Sequence, residues 1–189
     1  DVNGEKTVAM IDCGVKQNII CELNFRKINV IVFPPTTKLG EILQEEVDGF
    51  VVPNGPGDPA SVPYIHEAAR RLLAEKLPVL GICLGHQIIA IAAGARTYKL
   101  KFGHRGANHP VRDLESGNVY ITAQNHGYAV DAPSMDGTGL KVTMINANDG
   151  TVEGMKHMEI PMISIQYHPE ASPGPLDNKY LFDEFTELI

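Results

Sequence analysis

The sequence lacks the features that would place it in several large functional classes. Three cysteines, Cys13, Cys21 and Cys83, are too few and too scattered for a disulfide scaffold. No Cys-x-x-Cys pair is present to seed a zinc knuckle, so reduced thiols and no metal site are expected. No apolar run approaches the roughly 20 residues that a membrane helix needs. No secretory signal is visible, which makes the cytoplasm the expected compartment. Basic residues are outnumbered 23 to 16 by acidic ones, giving a net charge of -7, and they form no basic tract. Nucleic acid is therefore not an expected partner. The chain also does not begin with methionine, as expected of an excised piece of something larger.

What is present fits an ordinary globular domain: 189 residues, 43% hydrophobic and 21% charged. Apolar runs of strand length (7–12, 29–33, 49–52 and 78–82) alternate with amphipathic stretches of helix length (18–27, 39–47 and 62–76). That alternation predicts a parallel sheet with crossover helices on both faces. From about Arg96 the pattern changes to short strands at 119–122, 140–146, 151–155 and 162–166, then a last helix at 180–188. These strands are expected as antiparallel additions and a return into the sheet's centre. The expected fold is α/β: an open, mostly parallel central sheet with helices on both faces plus a small antiparallel sheet. No linker or repeat interrupts it, so residues 1–189 are read as one domain. Cys13 and Cys21 are expected to pack inside it.

Chemistry concentrates in Gly81-Ile82-Cys83-Leu84-Gly85-His86-Gln87. A cysteine between glycines, with a strand before it and a helix after it, has the layout of a nucleophile elbow. The turn is tight enough to demand glycine on either side, and the helix N-terminus favours a negatively charged sulfur.

Seven histidines compete for the role of base, and His168 fits best. It follows an apolar strand and precedes Glu170 across a stiff proline, so the carboxylate can orient the imidazole. Cys83 and His168 both sit at strand C-terminal ends, the edge where open α/β sheets gather their ligands. Lys16 and Asn18, just beyond the first strand, lie near that edge too and are candidates for contact with a partner.

The Asn54-Gly55-Pro56-Gly57-Asp58-Pro59 segment at the same edge offers rigid backbone N–H groups. With the N–H of Leu84, that of Gly55 or Gly57 could serve an oxyanion. Gln124-Asn125-His126-Gly127-Tyr128 reads as a polar loop suited to substrate recognition. Phe102 to His109 reads as a second loop, open to either solvent or a partner.

Taken together, the elbow, the Asn-Gly-Pro-Gly-Asp-Pro loop and His168-Pro169-Glu170 resemble class I, triad-type glutamine amidotransferases of flavodoxin-like fold. Lys101–Val111, Gln124–Val130 and His168–Pro175 narrow the resemblance to the glutaminase domain of the carbamoyl phosphate synthetase small subunit. It runs from about Val8 to the C-terminus. The resemblance implies a Cys83 thioester with glutamine, proton transfer by His168, and support of His168 by Glu170. It further implies that glutamine is held by Gly55, Gly57, Leu84, Gln87, Asn125, Gly127 and Tyr128, with Leu84 and Gly55 as the oxyanion hole.

Ammonia would pass to a large synthetase subunit that uses ATP and magnesium, this domain holding no cofactor of its own. Pyrimidine and arginine synthesis are the implied pathways. In that family an N-terminal domain, absent here, usually packs beside this one, and Tyr128 replaces a frequent phenylalanine. The 103–110 segment argues against a GMP or anthranilate role, and the intact Cys83, His168 and Glu170 argue against a silent docking module.

Overall fold

The computed structural model describes residues 2–171 and 173–189; Asp1 and Ser172, the latter within the His168–Pro175 motif, lie outside the described residues. In chain order the elements are β1 (Lys6–Ile11), α1 (Gln17–Phe25), β2 (Ile28–Phe33), α2 (Leu39–Ile42), β3 (Gly49–Val52), α3 (Pro63–Ala74), β4 (Val79–Ile82) and α4 (Leu84–Ala92). There follow β5 (Thr97–Asp113), β6 (Val119–Val130), β7 (Leu140–Asn146), β8 (Val152–His157), β9 (Met162–Ile165) and α5 (Tyr180–Leu188), with 3-10 turns at 59–61 and 132–135.

Among the described residues, nine strands join one sheet in the order β2-β1-β3-β4-β9-β8-β7-β5-β6. The first five run parallel, and β8, β7, β5 and β6 extend the same sheet in antiparallel fashion. The inner parallel strands β3 and β4 are buried on both faces, as apolar runs without polar alternation require, while the edge strand β2 is only partly covered. Because side chains alternate across a strand, successive residues serve two cores. Ala9, Ile11, Phe50, Val52 and Val79 pack with Ile42 of α2, Leu72 of α3 and Ile89 of α4. Val8, Met10, Val51, Leu80 and Ile82 pack with Leu23 of α1 and Phe182 and Phe185 of α5.

Three expectations change. The helix expected over 39–47 stops at Ile42, before the acidic run Glu45-Glu46. Both expected loops, 102–109 and 124–128, are strand: His104 pairs with His126 and Arg105 with Asn125 across the β5–β6 ladder. Two register shifts in that ladder absorb the turn-forming glycines, among them Gly103 and Gly106 at positive φ. Pairing in a long hairpin overrides the local turn preference. Cys21 is exposed on α1, and only Cys83 of the three cysteines is buried. Among the described residues no helix is long and apolar enough to cross a membrane.

Candidate active site

The turn from β4 into α4 puts Cys83 at φ 54°, ψ -101°, a left-handed backbone that costs a non-glycine residue roughly 1–3 kcal/mol. The surroundings hold it there. The Cys83 N–H donates to Ile165 O at 2.8 Å, and the Gly85 N–H donates to Pro53 O at 3.1 Å. A Cβ on Gly81 would meet Ile89 and Ser164, and one on Gly85 would collide with the Val52 carbonyl. The glycines flanking the elbow are thus required by the close approach of neighbouring strands and helix. Leu84 is the first residue of α4, so its N–H has no intrahelical acceptor and is free to serve a ligand.

β9 lies beside β4 and delivers His168 to the same edge. His168 Nδ1 and Glu170 Oε1 are 2.7 Å apart, and Glu170 is fully buried. The contact comes from a turn, in which the Ala171 N–H bonds back to His168 O, and not from strand alternation. Ala171 completes that turn at φ 54°.

Lys16, at the end of the β1–α1 connection, and Asn18, in the first turn of α1, close around Glu170. Lys16 Nζ sits 2.9 Å from its Oε1 and donates to Ala171 O at 2.6 Å, while Asn18 Nδ2 donates to Glu170 O. Asn54 fastens this connection to the glycine-rich loop, accepting from the Lys16 N–H at 2.9 Å and donating to Gly14 O at 3.1 Å.

Burial opposes charge on His168, but the Cys83 sulfur and the Glu170 carboxylate outweigh it and push its pKa up to about 9. Burial likewise opposes ionisation of Glu170, yet His168 and Lys16 hold its carboxyl below the usual range. The imidazole therefore carries the proton at neutral pH, between a carboxylate and a sulfur.

A cavity of about 940 Å³ opens in front of Cys83. Cys83, His168, Gly55, Gly57, Leu84, Gln87, Asn125, Gly127 and Tyr128 all line it, with Lys16, Lys99, Arg105 and Asp58. Of the catalytic and binding residues expected from sequence, Glu170 alone stands behind the wall, against His168. Gly55 approaches Cys13 O and the Leu84 side chain so closely that no Cβ fits there.

Gln87 spends its amide nitrogen on Tyr128 O (2.8 Å) and Gln166 Oε1 (2.9 Å), so any direct role toward a ligand falls to its carbonyl oxygen. Tyr128 OH donates to Asp58 Oδ2 at 3.0 Å, tying β6 to the glycine-rich loop. Asp58 also caps the turn that follows by accepting from the Ala60 N–H, and His66 bonds Pro59 O at 2.6 Å.

Sequence reasoning missed the clamp that Lys16 and Asn18 place on Glu170. The available signal was their position just past a strand's C-terminal end. It also passed over a polar cluster beside the cavity. His104 of β5 faces His126 of β6 and Glu153 of β8, with Asp149 behind it. The hydrogen bond with Glu153 raises His104 to about 9 against its burial, with help from Asp149. Burial lowers His126 to about 4. Burial also lifts the Glu153 carboxyl above the usual range, with His104 opposing.

Comparison with known proteins places these features in context. The model of the family described as glutamine amidotransferase class-I matches residues 9–188. The carbamoyl phosphate synthase small chain of Listeria monocytogenes is 56% identical over 184 residues, covering 97% of this chain and 50% of the relative. The protein of the same name from Bacillus caldolyticus is 55% identical over 186 residues, covering 98% and 50%. The chain thus spans about half the length of the curated relatives it matches. Among solved structures, a protein from Thermoplasma acidophilum described as a GMP synthase component superposes with a TM-score of 0.83 at 21% identity, covering 97% of this chain and 93% of the other. A glutamine amidotransferase from Thermotoga maritima gives 0.70 at 18%, covering 97% and 84%. At those identities the likeness speaks to fold alone.

Proposed function

The chain belongs to the class-I glutamine amidotransferases, and on that premise we propose that it is the glutaminase domain of a carbamoyl phosphate synthase. The observation that carries the reading is a buried cysteine on a strained strand-to-helix turn, next to an imidazole held in place by a buried carboxylate.

In this reaction the Cys83 sulfur, as the thiolate paired with the His168 imidazolium, attacks the side-chain amide carbon of glutamine, and a C–S bond forms as the carbonyl π electrons move onto oxygen. The Leu84 and Gly55 N–H groups face that oxyanion. As the tetrahedral intermediate collapses, the C–N bond breaks and His168 gives its proton to the leaving nitrogen. Ammonia departs, leaving a glutamyl thioester. Water then attacks the thioester with His168 as base, and glutamate leaves with the sulfur restored. His168, protonated at neutral pH, starts the cycle as the acid that the leaving group needs. Glu170, fixed by Lys16, holds the imidazole in the required tautomer.

Asn125, Gly127, Tyr128, Gln87 and Gly57 are the proposed walls for the substrate. Arg105 and Lys99 add positive charge to that cavity, suited to the substrate's α-carboxylate. The ammonia would be consumed by a large synthetase subunit, which uses ATP and magnesium to make carbamoyl phosphate for pyrimidine and arginine synthesis in the cytoplasm. Identity of 53–56% to small chains of that name supports this assignment.

The test is glutamate release from glutamine, with and without the large subunit, together with labelling by an electrophilic glutamine analogue. Turnover and one label on Cys83 are expected. Cys83→Ser should abolish turnover and keep glutamine binding. A variant that hydrolyses glutamine at the parent rate would remove Cys83 from the mechanism.

A further inference from the structure

The cluster of His104, His126, Glu153 and Gln124 beside the cavity has an arrangement that hydrogen bonding within the protein leaves unresolved. A carbonyl only accepts, so the 2.8 Å contact from His126 Nδ1 to Tyr128 O puts the ring proton on Nδ1 and leaves a lone pair on Nε2. The 2.8 Å contact from His104 Nε2 to Asp149 Oδ2 likewise leaves a lone pair on Nδ1 of the neutral ring. Thr122 donates its hydroxyl to His109 O, and the Gln124 amide nitrogen donates to that hydroxyl, so the amide oxygen of Gln124 is turned toward His126.

With the His104 ring neutral, as a metal ligand must be, four acceptors converge. His104 Nδ1 is 3.2 Å from His126 Nε2 and 3.4 Å from Glu153 Oε1. His126 Nε2 is 3.9 Å from that oxygen and 3.0 Å from Gln124 Oε1. Glu153 is wholly buried, and His126 and Gln124 nearly so. A proton on His104 Nδ1 can serve one of these contacts; a divalent cation serves all four.

The spacings agree with that occupant. Ligands about 2.0–2.1 Å from zinc in a tetrahedron lie about 3.3–3.4 Å apart, and the first two separations fall within about 0.2 Å of that range. Both histidines also present their second ring nitrogen to a fixed acceptor, Asp149 for one and a backbone carbonyl for the other. This outer shell is typical of metal-bound imidazole. The ligand atoms of His104, His126 and Glu153 all lie within 4.8 Å of one another.

We propose that His104, His126 and Glu153, with the Gln124 amide oxygen or a water as fourth ligand, form a zinc-class structural metal site joining β5, β6 and β8. The site is separate from Cys83, and its ligands come from residues 104–153, too dispersed for any short spacing motif. Its role is to hold the strand that carries Asn125, Gly127 and Tyr128 along the cavity wall. It stands independently of the glutamine reading.

The test is titration of metal-stripped protein with zinc, and separately with cobalt(II), monitored by calorimetry and visible absorption. One equivalent should bind. Cobalt should show the d–d bands of a four-coordinate nitrogen and oxygen site without a sulfur-to-cobalt charge-transfer band. Asp149→Asn keeps the Oδ1 that Thr151 uses but reverses the contact behind His104, and it should weaken binding about 10–100-fold. His104→Ala should remove binding. Absence of binding in the micromolar range, a sulfur-to-cobalt band, or equal affinity in Asp149→Asn would each overturn the site. Asp149→Asn decides the matter even if His104→Ala does not fold.

Discussion

Lys16 reaches a carboxylate that His168 already uses, and Glu170 is buried deeply enough that losing either partner matters. A charge-assisted hydrogen bond of this kind is worth about 1.5–3 kcal/mol. Lys16→Met keeps most of the side chain's apolar length and removes the ammonium with its contacts to Glu170 and Ala171 O. Its kcat for glutamine hydrolysis should fall about 10–100-fold with little change in KM, and the pH–rate profile should shift because Glu170 loses one of the two cations that keep it ionised. An unchanged profile would mean that Lys16 only packs. Tyr128→Phe should be milder, since it deletes one bond to Asp58 on a half-buried residue. KM should rise by less than about tenfold while kcat holds, as steady-state kinetics would show. Cys83, His168 and Glu170 were legible in the sequence because each carries its signature within a few neighbours. Lys16 and Asn18 meet Glu170 and Ala171 across more than 150 positions, and no local pattern encodes such a meeting.

At the scale of elements, two helical glycines give opposite expectations. Gly85 in α4 lies against the Val52 carbonyl, so Gly85→Ala must push the elbow away from β3. Overpacking against backbone typically costs about 1–3 kcal/mol, and the displaced elbow should lose activity as well. Gly40 in α2 is exposed with open space around it, so Gly40→Ala should raise stability by about 0.5–1 kcal/mol. Chemical denaturation of both variants would compare the two directly. The elements that could be read in advance were those with apolar runs of one period: β1 to β4, β7 to β9, α1 and α3 to α5. β5 was not, because its glycines and histidines have the composition of a turn. Its strand character comes from β6, with which it pairs over most of its length.

For the whole molecule, histidines shifted in opposite directions bracket the pH of greatest stability, His168 and His86 among them. His168 has a folded pKa raised from 6.5 to about 9. The folded state holds a proton there that the unfolded chain releases, so this stabilisation is complete below 6.5 and is lost as pH rises toward 9. His86 is fully buried, and burial first, with the His126 charge second, lowers it from 6.5 to about 3. The unfolded chain gains a proton there that the folded state refuses, so stability also falls as pH drops below 6.5. In metal-free buffer the Tm should peak near pH 6.5. His168→Asn should shrink the alkaline limb to the part that His104 contributes through its own rise to about 9, and should leave the acidic limb, to which His126, lowered to about 4, also contributes. A Tm that climbs from 6.5 to 9 in the parent protein would contradict the His168 assignment.

The place of β9 between β4 and β8 has a consequence for how the chain is made. β9 is the last strand in chain order, yet it occupies the middle of the sheet. During synthesis β4 is complete some eighty residues before its permanent neighbour leaves the ribosome. Until then its open edge is a template for the wrong strand, a hazard met by slow, non-local pairing. The same delay keeps Cys83 apart from His168. The Cys83 sulfur meets the His168 imidazole only when β9 closes the sheet, so folding and the assembly of the site are one event.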